Sequence, residues 1–132
     1  MLFIIRIFIF KKIHSYIHHQ KSENYDAGWH IPGGIIRFRE KILDRVIKVA
    51  KNELNAVVKA ANIPLAINQI ILKNKRNRSH FISLLFECKI KSFKNKNKFN
   101  KKKILAGAWK WHKKMPKDLI TPHKKIYKNL FY

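Results

Sequence analysis

Between positions 33 and 53 the sequence carries Gly33-Gly34, Arg37, Arg39, Glu40, Lys48 and Glu53, residue types suited to a metal ion and a diphosphate. Paired glycines let the backbone approach a ligand closely and leave a carbonyl oxygen open to a cation, because no Cβ stands in the way. A following helix can hold a carboxylate at fixed spacing toward the same point, and Mg2+ commonly takes one or two carboxylates together with substrate phosphates. A cation held in this way neutralises a diphosphate and its leaving group. Arg37 and Arg39 alternate with Ile36 and Phe38 and stand equally as phosphate contacts or as solvated loop arginines.

Such chemistry needs a strand, a glycine-opened loop and a helix in that order. Trp29-His30-Ile31-Pro32 reads as a short extended stretch stopped by proline, and Gly33-Gly34 opens the chain after it. From Glu40 to Ala56 the apolar residues Ile42, Leu43, Val46, Ile47, Ala50 and Leu54 recur at helical spacing, with Asn55 as the C-terminal cap. Upstream, residues 2–10 and 15–20 read as two strands joined by a tight connection across Lys11-Lys12, and Ser22 to Gly28 is turn-prone. Downstream, Ile67 to Leu72 and Phe81 to Ile90 read as strands, with Lys73 to Arg78 as a hairpin tip. Lys89 to Lys103 contains eight lysines and predicts a mobile loop, since like charges repel and little there can bury. Ile104 to Trp111 resumes as a strand, and Thr121-Pro122 starts a last helix to about Leu130. The layout is mixed α/β.

A chain of 132 residues with 46% hydrophobic content predicts one domain with a real core. The lone Cys88 lies in an apolar stretch, so a buried, unreactive thiol is expected, consistent with a reducing, cytoplasmic setting. The opening run MLFIIRIFIF contains Arg6 and falls short of the roughly 20 apolar residues that span a bilayer. It reads as a buried strand, and no membrane partner is expected. The net charge of +23 suits an anionic partner, nucleic acid included. Yet Lys, Ile and Asn make up 55 of the 132 residues, all with AT-rich codons, and only six of the thirty basic residues are Arg. The charge therefore has a compositional explanation, and an RNA-binding accessory protein ranks behind the other readings.

The run from Gly34 through Glu40 and Lys48 to Glu53 resembles the Nudix box: glycine, five residues, glutamate, seven residues, arginine, then clustered glutamates. Lys48 stands for the arginine, Val49 and Asn52 stand at the first two clustered glutamates, and Asn55 at the closing glycine. That thinning resembles the GDP-mannose mannosyl hydrolases, which also lack those two glutamates. The resemblance implies a Nudix-like α/β/α sandwich with a mixed β-sheet, a loop-helix and a C-terminal helix. It implies a Mg2+-dependent hydrolase (Mn2+ as substitute) that cleaves a nucleoside-diphosphate sugar at the anomeric carbon, and it allows a homodimer. By the same resemblance Gly33 and Glu53 hold the metal, Lys21 replaces a diphosphate-binding arginine, and Arg37 and Arg39 flank the diphosphate.

The family's general-base histidine and its neighbouring glutamine have no counterpart in the lysine- and asparagine-rich region before the last strand. His80 and His112 are the candidate replacements, because imidazole titrates near neutral pH. Glu40 reads either as a helix N-terminal carboxylate or as an active-site group. Trp109 and Trp111 read as core or rim residues of a strand, with a base-stacking platform as the alternative. The runner-up function is a degenerate Nudix domain kept as a binding module, a reading to which a chain starting directly within a strand adds weight.

Overall fold

The computed structural model describes residues 2–9, 14–19, 28–72, 80–94, 108–112 and 114–127. In chain order the elements are β1 (Leu2–Ile9), β2 (His14–His19), β3 (Gly28–His30), β4 (Gly33–Ile35), α1 (Ile42–Leu54), β5 (Ala56–Ala60), β6 (Ala66–Ile71), β7 (His80–Phe93), β8 (Trp109–His112) and α2 (Thr121–Tyr127). The larger sheet runs β4-β1-β7-β5, with β6 also paired to β7, and the smaller runs β3-β2-β8. β1 lies parallel to β7 from Leu2↔Phe81 to Ile9↔Cys88, whereas β4, β5 and β6 add antiparallel, so the larger sheet is mixed.

Alternation along β1 and β7 explains the layering. Ile5, Ile7, Ile9, Phe86 and Cys88 pack with Val46, Val49, Ala50 and Leu54 of α1 in one core cluster. On the opposite face Leu85 packs with Trp29, Ile31, Leu119 and Tyr127, while Phe81 packs with Ile4 and Ile70. The Tyr127 hydroxyl and Ser83 Oγ share a hydrogen bond of 3.0 Å, which ties α2 to β7. A helix on each side of a mixed sheet is the expected α/β/α sandwich. Each fully buried isoleucine of β1 contributes about 2 kcal/mol through removal of its apolar surface from water.

Several expectations need correcting. β1 and β2, expected as two strands in close succession, enter different sheets, β1 between β4 and β7 and β2 between β3 and β8. Residues 56–60 form a strand where the sequence offered only the end of a helix. Asn55 turns the chain there with φ 51° and ψ 41°, its N–H donating to the Ala50 and Lys51 carbonyls. β7 runs on to Phe93, so residues 89–93 of the expected lysine loop are strand, because β5 pairs with them along Ala56↔Phe93 and Lys59↔Lys89. The remainder of that stretch, 95–103, and the hairpin tip at 73–78 lie outside the described residues.

Trp109 is fully buried and meets Phe93 and Trp111 edge-on, at centroid distances of 4.8 and 5.9 Å, so it is a core residue. Cys88 is buried and free, with burial pushing its thiol up to about 12. No helix among the described residues is long and apolar enough to cross a membrane.

Asn55 gives a direct check on the cap. A left-handed backbone costs a residue with a Cβ and no local side-chain hydrogen bond about 1 kcal/mol. Asn55→Ala should therefore lower Tm by about 4 °C in a calorimetric melt, and Asn55→Gly should not.

Candidate functional site

The site is assembled where β4 meets β1. Gly33 and Gly34 pair antiparallel with Arg6 and Ile5, and the Ile7 amide donates to the Pro32 carbonyl at 3.1 Å. Arg6 is 5% exposed although it is charged, and its Nη1 donates to the Ile31 carbonyl at 2.8 Å. Gly33 has to be glycine for a steric reason: a Cβ there would lie 2.6 Å from Arg6 Cδ and Nη1 and 2.8 Å from the Ile5 carbonyl oxygen. Gly33→Ala forces the β1–β4 pair apart and should destabilise by about 2 kcal/mol, measurable by urea denaturation.

Glu53, in the last turn of α1, meets this pair of strands. Its carboxylate accepts a hydrogen bond from the Gly33 N–H, and burial raises it from the ordinary 4.5 to about 7. The positive charge of Arg6 and the Gly33 N–H oppose that rise. Burial wins because a carboxylate loses more hydration than two partial compensations restore. A carboxyl that titrates near neutrality can exchange a proton with a reacting group, and it can give up its proton to a cation.

Glu40 is held differently. Arg45 grips it with two bonds, Nε to Oε1 at 2.6 Å and Nη2 to Oε2 at 2.9 Å; Lys48 Nζ adds a third at 3.0 Å and the Arg37 amide a fourth at 3.1 Å. The Arg45 hydrogen bond is the chief cause that lowers this carboxyl to about 2. Glu40 thus stays ionised, contributes to folding above the usual carboxylate range, and loses that contribution only as pH falls toward 2. Its oxygens hold the entry to α1 in place.

Gly33 and Glu53 are brought together. His80 is not brought to them: it is exposed at the start of β7, with a ring nitrogen 2.7 Å from Gln69 Nε2. It stands five residues along the strand from Leu85, the partner of Arg6, a distance of roughly 16 Å. His112 ends β8 and packs edge-on against Trp29, ring centroids 4.7 Å apart. Arg37 and Arg39 are exposed on the loop before α1; Arg39 has φ 60° and lies over the Phe38 ring at 5.2 Å. Lys21 lies outside the described residues. A cavity of about 400 Å³ lies apart from these residues, lined by Lys59, Ala60, Ala61, Glu87 and Lys89.

Two members of the neighbourhood were missed in the sequence. Arg6 reads there only as an interruption in an apolar run, though a charge inside a buried strand by itself signals a partner. His123 is fully buried, and its Nδ1 accepts the Ile31 N–H at 3.1 Å, which fixes that nitrogen as unprotonated. Nothing local to the sequence marks His123, because the contact spans 92 residues.

No group of three or more His, Cys, Asp or Glu that could hold a metal occurs among the described residues. The donors that meet are one carboxylate and the backbone of Gly33. They fit a single hard cation that completes its coordination on substrate phosphate, and they do not fit a cluster of several metals.

This sandwich with its loop-helix crossing at Glu53 is the fold of the Nudix hydrolases. No family model and no curated relative matches the sequence; the likeness is structural. A MutT Nudix hydrolase from Burkholderia pseudomallei superposes with TM-score 0.69 at 16% identity, over 94% of this chain and 93% of that one. A Nudix-family hydrolase from Clostridium perfringens gives 0.69 at 15%, over 98% and 95%. An ADP-ribose pyrophosphatase from Streptococcus suis gives 0.56 at 18%, over 84% and 72%.

Proposed function

We propose that the chain is a hydrolase of a nucleoside-diphosphate derivative, with a nucleoside-diphosphate sugar such as GDP-mannose as its substrate class and Mg2+ as its cofactor. The observation that carries this reading is the meeting of the Gly33 backbone with the Glu53 carboxyl, within the Nudix fold. Glu53 and the Gly33 carbonyl would hold one Mg2+, which when bound neutralises the diphosphate leaving group. Arg6 fixes the Ile31–Gly33 backbone that carries one of these donors. Glu40, Arg45 and Lys48 lock the start of α1, so Glu53 at its far end meets the loop at constant height. Arg37 and Arg39, exposed beside that loop, would take the phosphate oxygens. Glu40 is assigned a positioning role, and His80 and His112 are assigned none in the proton transfer.

The protein incubated with GDP-mannose, ADP-ribose and a UDP-sugar in turn, each with Mg2+, tests the reading. Release of free sugar with nucleoside diphosphate indicates cleavage at the anomeric carbon. Release of sugar phosphate with nucleoside monophosphate indicates attack at phosphorus. No turnover above a Glu53→Gln control on all three would remove the enzyme reading for this substrate class. The second reading, a binding module without catalysis, is favoured by the complete ion pairing of Glu40. Calorimetric binding of GDP-mannose without product formation would establish it.

A further inference from the structure

The turn that carries the chain from β4 into α1 raises an aromatic ring clear of the surface. Phe38 is 90% exposed, more than any other large apolar side chain among the described residues. Its two neighbours, Arg37 and Arg39, are exposed as well. The abundance of lysine follows from composition, but two of only six arginines in the chain stand on either side of this one ring.

The ring is held in place by its own turn. The Glu40 N–H donates to the Arg37 carbonyl at 3.1 Å, the Arg37 N–H donates to Glu40 Oε1 at 3.1 Å, and Arg45 and Lys48 fix that carboxylate. Just before the turn, the Ile36 N–H donates to the Phe3 carbonyl at 3.1 Å. Arg39 occupies the third place of the turn with φ 60°, a place ordinarily filled by glycine or asparagine. Backbone strain of this kind persists only where the surroundings impose it, and it gathers at binding sites. The Arg39 guanidinium lies over the Phe38 ring, 5.2 Å from the centroid, and the exposure of the ring leaves its other face open.

These features select the ligand. An open ring face stacks on any nucleobase, and a guanidinium already against the ring adds a cation–π layer behind it. A free nucleotide needs a pocket that encloses most of its surface, whereas a ring 90% exposed has no wall opposite it. A strand gripped along its length by its phosphates needs no such wall. Each base of a strand is also flanked by two phosphates, which matches an arginine on both sides of one ring. An anionic membrane suits the tip less, because surface insertion takes a broad apolar face and a single phenyl stands here between two charges. The net charge of +23 draws a polyanion to the chain. We propose that Phe38, backed by Arg39, is a base-stacking site for single-stranded nucleic acid, with Arg37 and Arg39 on the phosphates either side of the stacked base. This site goes beyond the hydrolase reading: the same two arginines serve a polymer, and binding needs neither Gly33 nor Glu53.

Fluorescence anisotropy of the full chain with labelled oligo(U) and oligo(dT) of about 12 nucleotides, at about 0.05 to 0.3 M salt, tests it. Phe38→Ala should raise Kd about tenfold, or 1.4 kcal/mol, and leave the slope of log Kd against log salt unchanged, while Phe38→Trp should bind like the parent. Arg37→Gln combined with Arg39→Gln should raise Kd and reduce that slope by about 1.4, for two phosphate contacts at about 0.7 each. Lys59→Gln combined with Lys125→Gln removes the same charge from exposed positions on β5 and α2 and should shift Kd less. A 2-aminopurine in the strand should be quenched on binding the parent and stay bright on Phe38→Ala. Glu53→Gln should bind like the parent, which separates this site from any hydrolysis. The tighter of the two strands identifies RNA or DNA as the source. A folded Phe38→Ala that binds like the parent, a 2-aminopurine left unquenched by the parent, or a parent that binds phosphatidylserine vesicles and neither strand would each overturn the proposal.

Discussion

Glu53→Gln is expected to yield a protein that is more stable than the parent above neutral pH and lacks the hydrolytic activity proposed for the parent. The folded chain keeps a proton on Glu53 up to about pH 7, whereas in the unfolded chain that proton leaves near the ordinary 4.5. Between those values folding takes up a proton, so stability falls as pH rises through the interval and is lowest, for this group, above 7. The shift from 4.5 to about 7 corresponds to roughly 3 kcal/mol as an upper bound. Glutamine cannot ionise and avoids that penalty. Melts of parent and variant should diverge from pH 5 to 8 with the variant higher, and should converge below pH 4.5. The proposed activity should fall by at least about 10²-fold, because the cation that Glu53 is proposed to hold would be worth several kcal/mol in the transition state. Parallel pH–stability curves would remove the buried carboxyl from the account; undiminished turnover would remove it from the chemistry.

The second large effect is expected at Arg6. Arg6→Met keeps much of the side-chain length but leaves the Ile31 carbonyl without its 2.8 Å donor and removes the positive charge that opposes the rise of Glu53. Losing a charge-assisted bond to a buried acceptor costs about 2–3 kcal/mol. The Glu53 carboxyl should then titrate still higher, which carbon-detected NMR of the labelled side chain would show directly. Turnover should drop by about 10²-fold through displacement of the Gly33 backbone. Arg6→Lys should recover part of the stability, since it restores the charge without the planar fork. An Arg6→Met protein as stable and as active as the parent would mean that the Ile31–Gly33 backbone holds itself in place.

The Glu40 cluster shows why part of the site was legible in advance. Glycine, glutamate and lysine at fixed separations on a loop and one helix stay near each other in space whatever the rest of the chain does, so the sequence places Gly34, Glu40, Lys48 and Glu53 on one segment. Their partners come from elsewhere on the helix or the sheet. Arg45 lies on the same helix, and its rotamer decides that it and Lys48 share Glu40. The helix itself was correctly located, but its apolar stripe was not uniform in fate. Val46, Ala50 and Leu54 are buried, as is Val49, whereas Ile42, Leu43 and Ile47 stay at 36–47% exposure. Periodicity fixes which residues share a face, and only the width of the sheet beneath fixes how much of that face is covered.

The sequence by itself determined the local elements: a glycine-opened turn before an amphipathic helix, a left-handed cap at Asn55, apolar strands at β1, β6 and β7, and a buried Cys88. These follow from backbone sterics and from side-chain periodicity over a few residues, which do not depend on distant parts of the chain. The tertiary structure decided the rest. It split β1 and β2 between two sheets, and made a strand of residues 89–93 by supplying β5 as a partner. It also set Arg6 and His123 around the Ile31–Gly33 backbone and moved the ionisation of Glu53 to neutrality. Pairing partners, burial and the field at a buried carboxyl depend on residues far apart in the chain, and no local pattern encodes them.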